Sequence, residues 1–246
     1  PNGMEQVAAP ASPGPRTVPE PPRSSDCSAE EEDAAVVVFL GDAFVDIQTS
    51  TIASLPAWGE DRPVASVSTF AGGCVCNTAR RFGALRDSVG RPTPLLCCVT
   101  GGDFLGNWFR TILEEEGLVG MYAVSALPKG EPQSTCIVLT GSSDRAFVSC
   151  NSSNPQLNPF IVKKSVFTPL RMANKKIKHV HIGGYFCCPN LQVQDFASLL
   201  VMEKTKEPSM TISLDTNFDA SGKWDGQGHL KSLLPLVDIL FPNELE

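Results

Sequence analysis

The chain has 246 residues, 42% of them apolar, and a formal net charge of −7. That is enough apolar material for a sizeable core, but no run approaches the ~20 apolar residues of a membrane span. The charge is uneven: residues 1–33 hold seven acids against Arg16 and Arg23, with seven prolines. The remainder is close to balanced and lacks the basic footprint of a nucleic-acid binder.

Residues 1–34 carry almost no large apolar side chains. Such a segment cannot bury enough surface to offset its ordering entropy, so an acidic, Pro-rich disordered tail is expected. It has neither the apolar core of a secretory signal nor the Arg-rich character of a transit peptide. The first residue is Pro1 rather than Met, which suggests a fragment or processed product.

Ala35 to Leu40 is a continuous apolar run suited to a strand buried on both faces. It ends in Gly41-Asp42-Ala43-Phe44-Val45-Asp46. Val64 to Phe70 alternates like a half-buried strand, then reaches Gly72-Gly73 and a helical run expected over Thr78 to Leu85. Two glycines let the backbone approach a ligand closely, and Asn77, on the opening turn of that helix, can both donate and accept hydrogen bonds. A strand, a Gly-Gly turn and an early Asn suit a polyol, although a plain capped turn would read the same way.

Leu95 to Val99 predicts a second buried strand ending in Thr100-Gly101-Gly102-Asp103, and Leu105 to Glu116 an amphipathic helix stopped at Gly117. Met121 to Val124 predicts a short strand. Thr135 to Thr140 and Ala146 to Cys150 flank a Gly141–Arg145 turn and read as an antiparallel hairpin. Further strands are expected at Lys178 to Ile182, Met210 to Leu214 and Val237 to Phe241, with helices at Leu191 to Lys206 and Leu230 to Leu234. Strands alternating with helices imply a parallel sheet built from βαβ units. The segments that break this rhythm look like a flap added to the α/β body.

Nine cysteines are odd in number, include two adjacent pairs and form no CxxC. Most lie in apolar strands, where a free thiol packs as a small hydrophobe, so reduced thiols and a cytoplasmic compartment are expected. His179-x-His181 would put two rings on one strand face, with no third metal ligand evident nearby. P-loop, dinucleotide and Ser-elbow motifs do not occur. Five predicted strands end in polar or Gly-rich tips, and in an open parallel sheet ligands bind beyond the carboxyl ends of the strands.

Taken together, Gly41-Asp42 with Asp46, Gly72-Gly73 with Asn77, Gly102-Asp103-x-x-Gly106, Asp144-Arg145-Ala146-Phe147, Asp215-x-Asn217 and Pro242-Asn243-Glu244-x-Glu246 resemble the PfkB, or ribokinase-like, carbohydrate kinases. Order and spacing hold from about residue 35 to 246. The resemblance implies an α/β, Rossmann-like three-layer sandwich with a small antiparallel β-sheet lid drawn from about 48–71 and 133–150. It implies that Asp46, Gly72, Gly73 and Asn77 hold substrate hydroxyls and that Asn243 and Glu246 act near Mg2+ and the ATP phosphates, with no direct metal ligand. A monovalent cation is a further cofactor it leaves open. Asp42 is read equally well as a turn or helix-capping residue.

The implied reaction is ATP-dependent phosphorylation of a sugar or nucleoside hydroxymethyl group. The implied partners are that small molecule and a second copy of the chain through the lid, not a nucleic acid or a membrane. The family's proton acceptor is an Asp in a Gly-Ala-Gly-Asp turn after the N-x-x-E motif. No such turn occurs in these residues, so the C-terminal part is expected to be missing and the chain inactive. Thr100-Gly101-Gly102-Asp103 stands in the register of an earlier turn. Alternatives are a non-catalytic sugar- or nucleoside-binding pseudokinase and an α/β nucleotide-binding or oxidoreductase domain of another family.

Overall fold

The computed structural model describes residues 35–86, 92–116 and 122–243. The N-terminal tail, Cys27, Gly117 and Glu246 lie outside the described residues. In chain order the elements are β1 (Ala35–Gly41), β2 (Phe44–Thr49), β3 (Val67–Gly72), α1 (Cys74–Arg86), β4 (Thr93–Thr100), α2 (Phe104–Glu115), β5 (Tyr122–Ala126), β6 (Thr135–Thr140), β7 (Arg145–Cys150), the short α3 (Pro159–Val162) and α4 (Thr168–Met172), β8 (Lys176–Gly183), α5 (Gln194–Lys206), β9 (Thr211–Asp215), α6 (Leu230–Leu233) and β10 (Ile239–Leu240).

The body is a six-stranded sheet in the order β10-β9-β8-β1-β4-β5, with every pairing parallel. Alternate side chains of the central β1 enter opposite layers. Val36, Val38 and Leu40 join the cluster holding Val166, Phe196 and Leu200, while Val37 and Phe39 join Val75, Phe109 and Leu113. Helices α1 and α2 therefore cover one face and α5 with the 159–172 segment the other, giving three layers. Each such buried aliphatic or aromatic side chain contributes roughly 1.5–3 kcal/mol, which explains why the uninterrupted apolar run of β1 lies at the centre.

The second sheet has the order β3-β2-β6-β7. Its outer pairings, β2 with β3 and β6 with β7, are antiparallel as expected, but the central pairing of β2 with β6 is parallel. The chain leaves the lid after β3, passes through the body, and returns for β6, so the two central strands are not joined by a turn. The lid also begins at Phe44, earlier than the expected 48. Gly41 at φ +147° breaks the chain direction between β1 and β2, and Phe44–Asp46 belong to a lid strand rather than to a strand tip.

Three local features differ from the sequence reading. Helix α1 starts at Cys74 rather than Thr78, because Asp42, on the connection between β1 and β2, caps it. Residues 159–172 form a helix that was not anticipated, running through a π-turn at Lys163–Phe167 in which Thr168 N–H reaches Lys163 O. Pro169 lacks an N–H and its ring crowds the preceding turn, a conflict the wider π-turn relieves. Helix α5 begins at Gln194 because Val193 is extended, with φ −140°. At the other end of the sheet β10 is an edge of two residues, with Ile239 and Leu240 both half-exposed.

Candidate functional site

The strand order of the body reverses between β1 and β8. At this switch point a parallel sheet opens a crevice beyond its carboxyl ends. Gly41 and Gly183 pair there, and a Cβ on Gly184 would lie 2.4 Å from Asp42 Cγ. Asp42 is buried, and its carboxylate accepts from Cys74 N–H at 3.2 Å, Val75 N–H at 3.0 Å and Cys74 Sγ at 3.3 Å. It thus caps α1 across 32 residues of sequence, which is the capping role and not that of a free ligand group. Burial pushes its carboxyl above the ordinary range, and the two backbone N–H donors oppose that rise.

Asp46 lies on β2, in register with Phe70 of β3 and Cys136 of β6. Its carboxylate rests over Gly72: a Cβ there would stand 2.1 Å from Oδ2. Gly73, at φ +97°, turns the chain into α1, and a Cβ on it would meet Asp42 O at 2.7 Å. Among the described residues the Asp46 carboxylate accepts no hydrogen bond. Burial, and secondarily the charge of Asp42, raises its pKa to about 6, with Arg145 pulling the other way. Asn77 is exposed one turn into α1; its Oδ1 accepts weakly from Arg80 at 3.4 Å, while Arg80 also holds Ala71 O and the Glu116 carboxylate.

Register puts further side chains on the Asp46 face of the lid. Ser149 Oγ lies 3.3 Å from Cys136 Sγ, Gln48 Nε2 donates to Thr140 Oγ1 at 3.2 Å, and the Arg145 guanidinium stands 5.5 Å over the Phe147 ring. Cys136, on this face, lies near enough to Cys187 of the body to add to that thiol's cost of ionisation, while Val45 and Ala71 of the opposite face enter the core layer beneath α1 and α2. Cys136 was not singled out from the sequence, and Arg145 was marked only as part of the Asp144–Phe147 motif, with no site role. Only the pairing register puts both on the face of Asp46.

The two sheets join where four connections cross, and a buried polar knot holds them. Ala43 N–H donates to Asn154 Oδ1 at 2.9 Å, and Gln133 Nε2 donates to Ala43 O at 3.0 Å. Ser134 Oγ accepts from the N–H groups of Ser152, Ser153 and Asn154 at 2.9–3.2 Å.

Asp103 is a structural cap. Its oxygens accept from Gly106 N–H at 2.8 Å and Gln133 N–H at 3.2 Å, and Cβ atoms on Gly102 and Gly106 would collide with backbone at 1.9 and 2.1 Å. The rings of His179 and His181 do share a strand face, but they bond to Thr211 and Ser213 hydroxyls at 2.7–2.8 Å. Among the described residues no group of three or more His, Cys, Asp or Glu could hold a metal. Cys97 and Cys98 enter opposite core layers, and burial pushes the Cys97 thiol up to about 12. All eight described cysteines are free.

Asn243 follows β10 at the carboxyl edge. It is three strands from β1, or about 14 Å at the usual strand spacing. Asp215, at the end of β9, accepts from Asn217 N–H at 3.1 Å. Among the described residues no helix is long and apolar enough to cross a membrane.

Comparison with known proteins agrees with this architecture. The model of the pfkB family carbohydrate kinases matches residues 35–246. A ribokinase from Giardia lamblia superposes with a TM-score of 0.68 at 18% identity, over 86% of this chain and 58% of its own. A fructokinase with bound ATP from Xylella fastidiosa gives 0.57 at 15% identity, over 83% and 60%. A structure described as a ribokinase II in complex with ATP and Mg2+ from E. coli gives 0.60 at 18% identity, over 85% and 62%. The chain thus spans about three fifths of the length of these structures. No curated protein matches it.

Proposed function

Because the chain belongs to the PfkB family of carbohydrate kinases, we propose that the crevice between Asp46 and α1 binds the phosphoryl acceptor of an ATP-dependent kinase. The observation that carries this reading is the Asp46 carboxylate, half-buried over Gly72 and without a hydrogen bond to any described residue. An ionised carboxylate has two acceptor oxygens, enough for two vicinal hydroxyls. Gly72 and Gly73 leave room for the acceptor against the backbone, and Asn77 offers an amide for a third hydroxyl. The lid bearing Asp46 excludes water, the competing acceptor.

ATP and Mg2+ belong to the far side of the same edge in this reading. Asp215 and Asn243 stand at adjacent strand ends and present oxygens, the ligand type a hard cation takes, often through its own waters. With Glu246 they would meet Mg2+ on the ATP phosphates, and the ion would neutralise the charge of the phosphoryl group in transfer. The hydrogen-bonded caps Asp42 and Asp103 are not suited to accept the acceptor's proton. The 246 residues contain no Gly-Ala-Gly-Asp turn, so this chain is expected to bind the acceptor without turning it over.

The test is a ligand panel read by thermal shift, with a coupled ADP assay alongside. A bound acceptor at 100 times its Kd should stabilise the chain by ~2.7 kcal/mol, and at the same concentration Asp46→Asn should cut that shift to about 0.4–1.4 kcal/mol. A full shift in the Asn variant would refute the site. Turnover above that variant would refute the inactive reading.

A further inference from the structure

Resting on that acceptor site, the substrate class can be narrowed by the face of the lid that carries Asp46. Beside Asp46 stands Phe70, 49% exposed, and one row farther out on β7 stands Phe147, 57% exposed. Asp46 and Arg145 are the only charged groups among the described residues of this face, and Arg145 backs the Phe147 ring. Phe147 is two strands across from Asp46 and two residues along, about 10 Å by 7 Å at usual sheet spacings.

A free pentose or hexose whose diol sits on Asp46 ends well short of Phe147, leaving that ring open to water. A planar group attached to the sugar would cover it. Val138, the row-mate beside Phe147, is apolar and buried, while Gln48, which gives one N–H to Thr140, and Ser68 keep polar capacity farther away on the β2 and β3 side. Exposed rings on a ligand-facing surface are the usual platform for a nucleobase, whose π-face stacks without regard to its edge groups.

We propose that the acceptor is a nucleoside, its ribose diol on Asp46, its sugar ring against Phe70 and its base stacked on Phe147. Arg145 polarises the ring from behind.

The experiment measures Kd by calorimetry on the 246-residue chain with adenosine, uridine, ribose, fructose and ribose 5-phosphate. One of the nucleosides should bind at least tenfold tighter than ribose. Phe147→Ala should weaken the nucleoside about tenfold and leave ribose unchanged. Phe147→Leu, which keeps apolar bulk but removes the π-face, should also weaken it; Phe147 is more than half exposed, so both variants should fold. Tighter binding of a free sugar, or of ribose 5-phosphate through Arg145, overturns the nucleoside assignment, as does an unchanged nucleoside Kd in both variants. Sugar binding that Asp46→Asn abolishes, with no nucleoside binding, overturns the nucleoside assignment and leaves the acceptor site standing. If no ligand shows binding sensitive to Asp46→Asn, the acceptor site falls and the nucleoside with it.

Discussion

Asp46 is half-buried beside Asp42, and both the burial and that neighbouring charge favour its neutral form, with a pKa of about 6 against an ordinary 3.8. An acid whose folded pKa is raised makes the native state bind more protons than the unfolded chain. Its contribution to stability is therefore full below about pH 4 and lost as pH rises through about 6. Ligand binding runs the other way, because a diol needs the ionised carboxylate. Acceptor affinity should fall about tenfold per pH unit below pH 6, measured by calorimetry from pH 4.5 to 8. Asp46→Asn should remove the stability slope in urea melts while costing about 10- to 100-fold in affinity, the worth of a charged hydrogen bond. Gly72→Ala tests the same contact sterically. Its Cβ would displace the Asp46 carboxylate, so binding should be lost along with about 1–3 kcal/mol of stability.

Among the elements, the lid is positioned by the knot at Ser134, not by its own turns. Ser134→Ala leaves three backbone N–H groups of residues 152–154 without their shared acceptor. A buried donor left unpaired costs about 1–3 kcal/mol, so the urea midpoint should drop markedly. Acceptor affinity should fall too, since Asp46 rides on the strand this knot anchors. Asp103→Ala separates structure from chemistry. Losing the cap of α2 should cost about 1–2 kcal/mol and leave acceptor affinity unchanged, because both Asp103 oxygens bond to backbone.

For the whole molecule, the parallel order of six strands gathers the ends of β1, β8, β9 and β10 on one edge, and the lid hangs over the switch point. The face opposite Asp46, beyond its buried base at Val45 and Ala71, exposes Val67, Ile137 and Val148. Covering these side chains with a second copy is the contact we propose for a homodimer. Ile137→Glu should then shift a dimer to monomer in light scattering without touching Asp46, and a chain already monomeric at high concentration would refute it.

The sequence alone determined the elements whose character is local. An apolar run at Val36–Leu40 has nowhere to go but a doubly covered strand, and Gly72-Gly73 before a helical pattern forces a tight turn whatever surrounds it. Asp46, Gly72, Gly73 and Asn77, which we propose hold the acceptor, could be named from the sequence because they lie within or beside such elements and carry the family resemblance. Tertiary structure decided what depends on pairing between distant segments: the parallel β2–β6 contact, the start of β2 at Phe44, the cap that Asp42 places on α1, and the placing of Asp46, Cys136, Arg145 and Phe147 on one face of the lid. A strand's register is set by its partners and by the face it buries, and neither is written in the strand's own residues.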